Sequence, residues 1–158
     1  MGVEIERKFL VDHTKWGQLS KPKGTDYSQG YITDDPATIR VRIAGEHAYL
    51  TIKGTSVGFT RNEYEYEIPV ADAHELLESF AGERVEKIRY EIPVDDVVWE
   101  VDVFKGANEG LVIAEVELNS EDHLINIPEW VGEEVTGNKK YYNSRLAKNP
   151  YKNWQAPV

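Results

Sequence analysis

Charged side chains recur at every second position along much of this 158-residue chain. In Val3-Glu4-Ile5-Glu6-Arg7-Lys8-Phe9, residues 4, 6 and 8 share one face of an extended strand, and Val3, Ile5 and Phe9 share the other. Arg40 and Arg42 lie between Ile39, Val41 and Ile43, and Lys53 follows Ile52. Glu63, Glu65 and Glu67 alternate with Tyr64, Tyr66 and Ile68, while Lys87 and Arg89 flank Ile88. Asp102 falls between Val101 and Val103, and Glu115 and Glu117 alternate with Ala114, Val116 and Leu118. Carboxylates are hard oxygen ligands of the kind that hold Mg²⁺ or Mn²⁺. Arginine offers planar forks and lysine point charges to phosphate oxygens. Together they suggest metal-assisted chemistry on a small phosphorylated anion.

Antiparallel strands often carry a wet face, and any one of these segments alone reads that way. The set reads differently, because most strands carry nearly one sign: acidic at 63 to 67 and 115 to 117, basic at 40 to 42 and 87 to 89. Like charges two residues apart repel unless an opposite charge lies between them. A closed barrel with its charged faces inward resolves this by setting acidic strands against basic ones. Its apolar faces then point outward and need cover from helices and from some of the four Trp and nine Tyr.

Period-two patterning predicts about eight strands, near Val3 to Val11, Thr25 to Thr33, Thr38 to Ala44, Ala48 to Lys53, Thr60 to Ile68, Glu83 to Val94, Val97 to Lys105 and Leu111 to Leu118. Turn signals separate most of them, including Asp34-Asp35-Pro36, Gly45-Glu46, Gly54 through Gly58 and Gly106 through Gly110. Helical spacing of Leu76, Leu77 and Phe80 predicts a helix over Ala71 to Phe80, with Asp72 as its N-cap. A second helix is expected from Lys139 to Lys148 and a short one near Thr14 to Leu19. Without an internal repeat or a linker, residues 1 to 158 read as a single domain. Its fold class is mainly β (α+β): a closed antiparallel barrel flanked by helices.

A net charge of −10 argues against long nucleic acids and against an acidic membrane surface as partners, though a local basic cluster or a bound divalent ion can invert the field within one cleft. Without cysteine there is neither a disulfide framework nor a thiolate metal site, which fits a reducing cytoplasm. No apolar stretch approaches the roughly 18 residues of a membrane span. His13, His47, His74 and His123 lack metal-ligand spacing and read as surface or helix positions. The Gly54 to Gly58 stretch lacks the Gly-Lys-Ser/Thr of a P-loop and reads as a hairpin turn.

Glu4-Ile5-Glu6-Arg7-Lys8 carries the pattern Glu-x-Glu-x-Lys, and here the chain resembles the CYTH superfamily, the triphosphate tunnel metalloenzymes. The resemblance continues in order through Arg40-x-Arg42, Lys53, Arg61-x-Glu63-x-Glu65, Lys87-x-Arg89-Tyr90, Asp102-Val103-Phe104, Glu115-x-Glu117 and Glu134-Val135-Thr136 to Lys140-Tyr141-Tyr142-Asn143. It implies an eight-stranded antiparallel tunnel that takes a triphosphate with Mg²⁺ or Mn²⁺. By the same resemblance, Glu4, Glu6, Glu115 and Glu117 are metal ligands, and Lys8, Arg40, Arg42, Lys53, Lys87, Arg89 and Lys140 contact phosphate. Glu63, Glu65, Glu117 and Lys8 are the expected catalytic groups, with Glu63 and Glu65 holding a second metal or orienting water. Either Lys139 or Lys140 caps the tunnel, the family pattern favouring Lys140.

The expected activity is hydrolysis of inorganic triphosphate to pyrophosphate and phosphate. The alternatives are an adenylyl cyclase or thiamine triphosphatase of the same superfamily, or a non-catalytic polyphosphate- or nucleotide-binding module. Outward aromatic faces could also supply a homodimer interface.

Overall fold

In the computed structural model, which describes residues 2–55, 57 and 60–154, nine strands form one antiparallel sheet. They are β1 (Gly2–Val11), β2 (Thr25–Thr33), β3 (Thr38–Ala44), β4 (His47–Lys53), β5 (Thr60–Ile68), β6 (Val85–Val94), β7 (Val97–Phe104), β8 (Val112–Glu117) and β9 (Val131–Glu134). The order β5-β4-β3-β2-β6-β7-β8-β1 closes on itself through a β1–β5 pairing. An eight-stranded barrel results.

β1 makes the closure by changing partners along its length. Residues Gly2 to Ile5 pair with β5, residues Glu6 to Leu10 with β8, and its outer end with β9. The ninth strand, outside the barrel, was not expected from the sequence.

Apolar side chains leave the barrel outward, as the alternation required, and two covers receive them. Phe9, Trp99, Val101, Ala114 and Val116 pack with Trp16 and Trp130 on one side. Trp16 belongs to α1 (His13–Gln18), whose N-cap Asp12 accepts from the Lys15 amide. On the other side Val41 and Ala48 lie beneath Ala73 and Leu77 of α2 (Val70–Phe80). Pro69, not Asp72, occupies the α2 N-cap position, leaving Asp72 in the first turn, where a carboxylate still favours the helix dipole.

Inside, one end of the barrel is filled. Val85, Phe104, Leu111 and Ile113 meet Leu146 of α3 (Asn143–Lys148) in an apolar cluster. The expected C-terminal helix is therefore two pieces, a 3₁₀ turn over Lys139–Tyr141 and then α3, separated by extended backbone at Tyr142. That break inserts α3 into the barrel end. Gly54 donates to Asn62 and Val57 bridges Thr60, consistent with a turn; Ser56, Gly58 and Phe59 lie outside the described residues, as do Met1 and residues 155–158. No helix among the described residues is long and apolar enough to cross a membrane.

Candidate active site

Because residues two apart on a strand share a face, the register of the barrel decides which charges meet. Lys53 lies opposite Glu63 across β4 and β5, and Glu4 opposite Arg61 across β1 and β5. Lys8 lies opposite Glu115, and Glu6 opposite Glu117. Arg89 faces Asp102 across β6 and β7. These side chains surround a cavity of about 310 Å³ whose lining includes six cations (Lys8, Arg40, Arg42, Lys53, Arg61, Arg89) and seven carboxylates (Glu4, Glu6, Glu63, Glu65, Glu100, Glu115, Glu117). The near balance makes the interior tolerable without ligand.

The pairing is uneven. Glu4 receives Lys53 at 3.0 Å and Arg61 at 3.2 Å, and Lys53 also reaches Glu63 at 3.2 Å. Lys8 sits 3.3 Å from Glu115. Burial alone would raise the Glu4 pKa, but Lys53 and Arg61 outweigh it and bring it to about 2. For Glu115 the same contest, won by Lys8 and Arg89, ends well below the usual range. Glu6 goes the other way: burial, with Glu115 and Glu4 adjacent, pushes it up to about 8. Glu6 and Glu117 have no cationic partner within ion-pair distance among the described residues. Burial, aided by Glu4 and Glu63, also raises Glu117.

Deeper in, Asp102 is 1% exposed and accepts a bidentate pair from Arg89 at 2.8 and 2.9 Å and an ammonium from Lys87 at 2.7 Å. Despite burial, these two cations lower Asp102 to about 2. Lys87 is fully buried, and that burial, with Arg89 and Arg42 nearby, brings it down to about 7. Arg40, on the opposite wall, donates to Thr51 at 3.1 Å, yet its Nε is buried without a partner. Its Nη2 also lies 3.5 Å from Glu65, so the guanidinium is only partly satisfied until a further anion arrives.

Most of the residues singled out in the sequence converge here, with two exceptions. Lys87 does not line the cavity; it lies behind Asp102 and Asn143. Lys140 is exposed, its ammonium 4.7 Å from the Trp154 ring and 5.2 Å from Tyr141, and it does not line the cavity; Lys139 is also exposed. Ten lining residues were not named as site residues, among them Tyr31, Arg61, Glu100, Tyr142 and Asn143. The period-two rule placed Arg61 beside Glu63 and Glu100 beside Asp102, so the signal for these two was present. The histidines stay outside the cavity, His47 against Glu67 and His123 against Asp96.

The CYTH domain family matches residues 2–149. The chain belongs to the CYTH family. An inorganic triphosphatase of Acetivibrio thermocellus is 51% identical over 157 residues, spanning 98% of this chain and 99% of that protein. An inorganic triphosphatase of Nitrosomonas europaea is 41% identical over 150 residues, spanning 91% and 96%. The crystal structure of the inorganic triphosphatase NE1496 superposes with a TM-score of 0.63 at 38% identity, covering 91% of this chain and 97% of that one.

Does the donor set of this CYTH cavity fit a divalent metal? Among the described residues no three His, Asp or Glu side chains are gathered as a ready metal cage. Glu4 is turned to Lys53 and Arg61, and Glu115 to Lys8. Mg²⁺, however, is commonly held by one or two carboxylates plus substrate phosphates, not by an all-protein cage. The elevated Glu6 and Glu117, facing each other across β1 and β8 with Glu115 beside them, are carboxylates in need of a cation. The residues fit.

Proposed function

We propose that this chain, as one domain over residues 1–158, is a metal-dependent triphosphatase that hydrolyses inorganic triphosphate to pyrophosphate and phosphate. The observation that carries the reading is Arg40, its Nε buried without a partner, among Arg42, Lys53 and Arg89 in a cavity that also holds two carboxylates, Glu6 and Glu117, with no cation at ion-pair distance among the described residues. Cations in a row suit a chain of phosphoryl groups, and the naming of the two relatives as inorganic triphosphatases supports the substrate.

Phosphoryl transfer needs positioning and charge neutralisation more than covalent chemistry. Lys8, Arg40, Arg42, Lys53 and Arg89 hold the nonbridging oxygens, and Arg61 joins them from β5. Substrate phosphates draw Lys53 from Glu4 and Lys8 from Glu115, which frees both carboxylates. Glu4, Glu6, Glu115 and Glu117 would hold Mg²⁺ or Mn²⁺, which when bound supplies charge neutralisation on the phosphoryl oxygens and a more acidic water. Glu63 and Glu65, half exposed at the mouth, orient the attacking water. Water adds to the terminal phosphorus, the P–O bond to the next phosphoryl group breaks, and pyrophosphate leaves with the bonding electrons.

The test is phosphate release from inorganic triphosphate, ATP, thiamine triphosphate and pyrophosphate, each with Mg²⁺, with Mn²⁺ and with a chelator. The expected result is strong metal-dependent release from inorganic triphosphate and weak release from ATP. Cyclic nucleotide plus pyrophosphate from ATP would make the chain a cyclase, and tight binding without release would make it a binding module.

A further inference from the structure

At the inner end of the cavity the hydrogen-bond directions are set by a group that can only donate. Arg42 Nε lies 2.8 Å from Gln29, so the Gln29 atom it meets is the carbonyl oxygen, Oε1. That leaves the Gln29 amide nitrogen as donor, to Tyr31 Oη at 2.7 Å and to Asn143 Oδ1 at 3.3 Å. Lys87 Nζ reaches the same Asn143 oxygen at 2.8 Å. Two donors on one atom fix which way the Asn143 amide faces.

With their oxygens so used, Tyr31 and Asn143 have donors to spare: one phenolic O–H and the amide N–H groups. Among the described residues nothing accepts from either, and both side chains line the cavity. Gln29 itself is wholly buried and does not line it. Burial raises the Tyr31 pKa against the opposing pull of Arg40 and Arg42, so the phenol keeps its proton.

The fold explains the arrangement. Gln29 and Tyr31 are two apart on β2, opposite Arg42 and Arg40 respectively, and Asn143 opens α3 where it enters the barrel end. One layer further in stand Val85, Phe104, Ile113 and Leu146, each two or three residues beyond a polar member of the site.

We propose that Tyr31 and Asn143 are substrate contacts, neutral donors that grip the oxygens of an unsubstituted end phosphoryl group at the inner end of the cavity, with Gln29 as the positioning residue that aims both. The inference rests on the triphosphate reading given above. Donors without acceptors call for an oxygen that carries lone pairs and no hydrogen. An organic substituent on that phosphoryl group would run into the packed apolar layer, so a nucleotide or thiamine ester must point its organic part towards the mouth.

Neutral donors and cations can be told apart by salt, which screens charges and leaves neutral hydrogen bonds largely unaffected. The experiment is calorimetric titration of the full chain with Mg²⁺ and a methylene-bridged, non-hydrolysable triphosphate analogue at two ionic strengths. Tyr31→Phe and Asn143→Ala are expected to weaken binding by about 5- to 50-fold each while keeping the wild-type salt dependence. Arg40→Ala is expected to weaken binding and flatten the salt dependence. Gln29→Glu, which offers acceptors alone, should weaken binding although it touches no ligand, and adding Tyr31→Phe to it should cost less than the sum of the two. Tyr31→Phe removes one oxygen and keeps the ring, so it carries the test if another variant does not fold. Tyr31→Phe and Asn143→Ala binding within 2-fold of wild type, with Arg40→Ala impaired, would overturn the inference and leave the triphosphate reading standing. Failure of the wild-type protein to bind the analogue would bring down that reading and the inference with it.

Discussion

The two ends of the cavity are built on opposite principles. At the inner end Lys87, Asp102 and Gln29 are at most 1% exposed and each is satisfied by protein partners: Asp102 by Arg89 and Lys87, Gln29 by Arg42, Tyr31 and Asn143. Towards the mouth, the Glu63, Glu65 and Glu100 side chains are 28%, 43% and 38% exposed, and Glu117 is exposed as well. Burial and carboxylate neighbours raise Glu63, Glu100 and Glu117. The buried layer of Lys87, Asp102 and Gln29 is finished before any ligand arrives, and only the spare donors of Tyr31 and Asn143 face the cavity from it. The mouth carries negative charge that only a cation can relieve, so the fold stores its rigidity at one end and its demand for metal at the other.

The sharpest way to break this contrast is at Glu117, on the demanding side. Glu117→Gln should lower kcat by about 100-fold or more, the scale of losing one charge-stabilising group. Affinity for inorganic triphosphate should be partly retained, and apo stability should not fall. Steady-state phosphate release with Mg²⁺, alongside thermal melting, checks both; unchanged turnover would remove Glu117 from the site.

Asp102→Ala attacks the finished end and should act first on folding. It strands Lys87 and Arg89 in a buried layer, and breaking a buried pair costs about 3–5 kcal/mol. Urea unfolding of apo protein should show it. A cost below about 1 kcal/mol would mean that the inner layer is not the rigid part.

A third prediction uses pH. Glu6 titrates near 8 in the fold and near 4.5 when unfolded, so between those values the native state holds the extra proton and stability falls as pH rises. Glu4 and Asp102, lowered to about 2, do the reverse: their contribution is complete above about 4 and is lost as pH falls towards 2. Metal-free protein should therefore melt several degrees higher at pH 5 than at pH 7, above which the lowered Lys87 works in the opposite sense, and Glu6→Gln should flatten that slope. A melting temperature that rises from pH 5 to 7 in the wild-type protein would contradict the assignment.

Much of this contrast was legible in the sequence. The period-two alternation gave the eight barrel strands to within about two residues, and it set the charges inward and most of the apolar faces outward. The ninth strand was not legible, because Val131-Gly132-Glu133-Glu134 is four residues long and three of them are exposed. Neither was the burial of Lys87 behind Asp102: alternation assigns a face, while depth along the barrel depends on the α3 insertion at the Tyr142 break. Asn143 was hidden for the same reason. Lys140 was expected in the tunnel because the family pattern favours it, at the start of a helix expected over 139 to 148; in the structure it lies over Trp154. Lys140→Ala is accordingly expected to change KM by less than about 3-fold, the smallest of these effects, since an exposed cation over an aromatic ring contributes about 0.5–1 kcal/mol.

The central claim is that the inward cations are there for a triphosphate and not for the fold. Calorimetric titration of wild-type protein and Arg40→Ala with the non-hydrolysable triphosphate analogue and Mg²⁺, paired with urea unfolding of each apo form, tests it most directly. Losing one charge-assisted contact should weaken binding by about 10- to 100-fold, while the apo protein becomes no less stable, because the buried unpartnered Nε and the crowding of like charges with Arg42 that go with Arg40 offset its bonds to Thr51 and Glu65. Equal affinity with a loss of stability would show that Arg40 serves the barrel wall and that the cavity is not a triphosphate site.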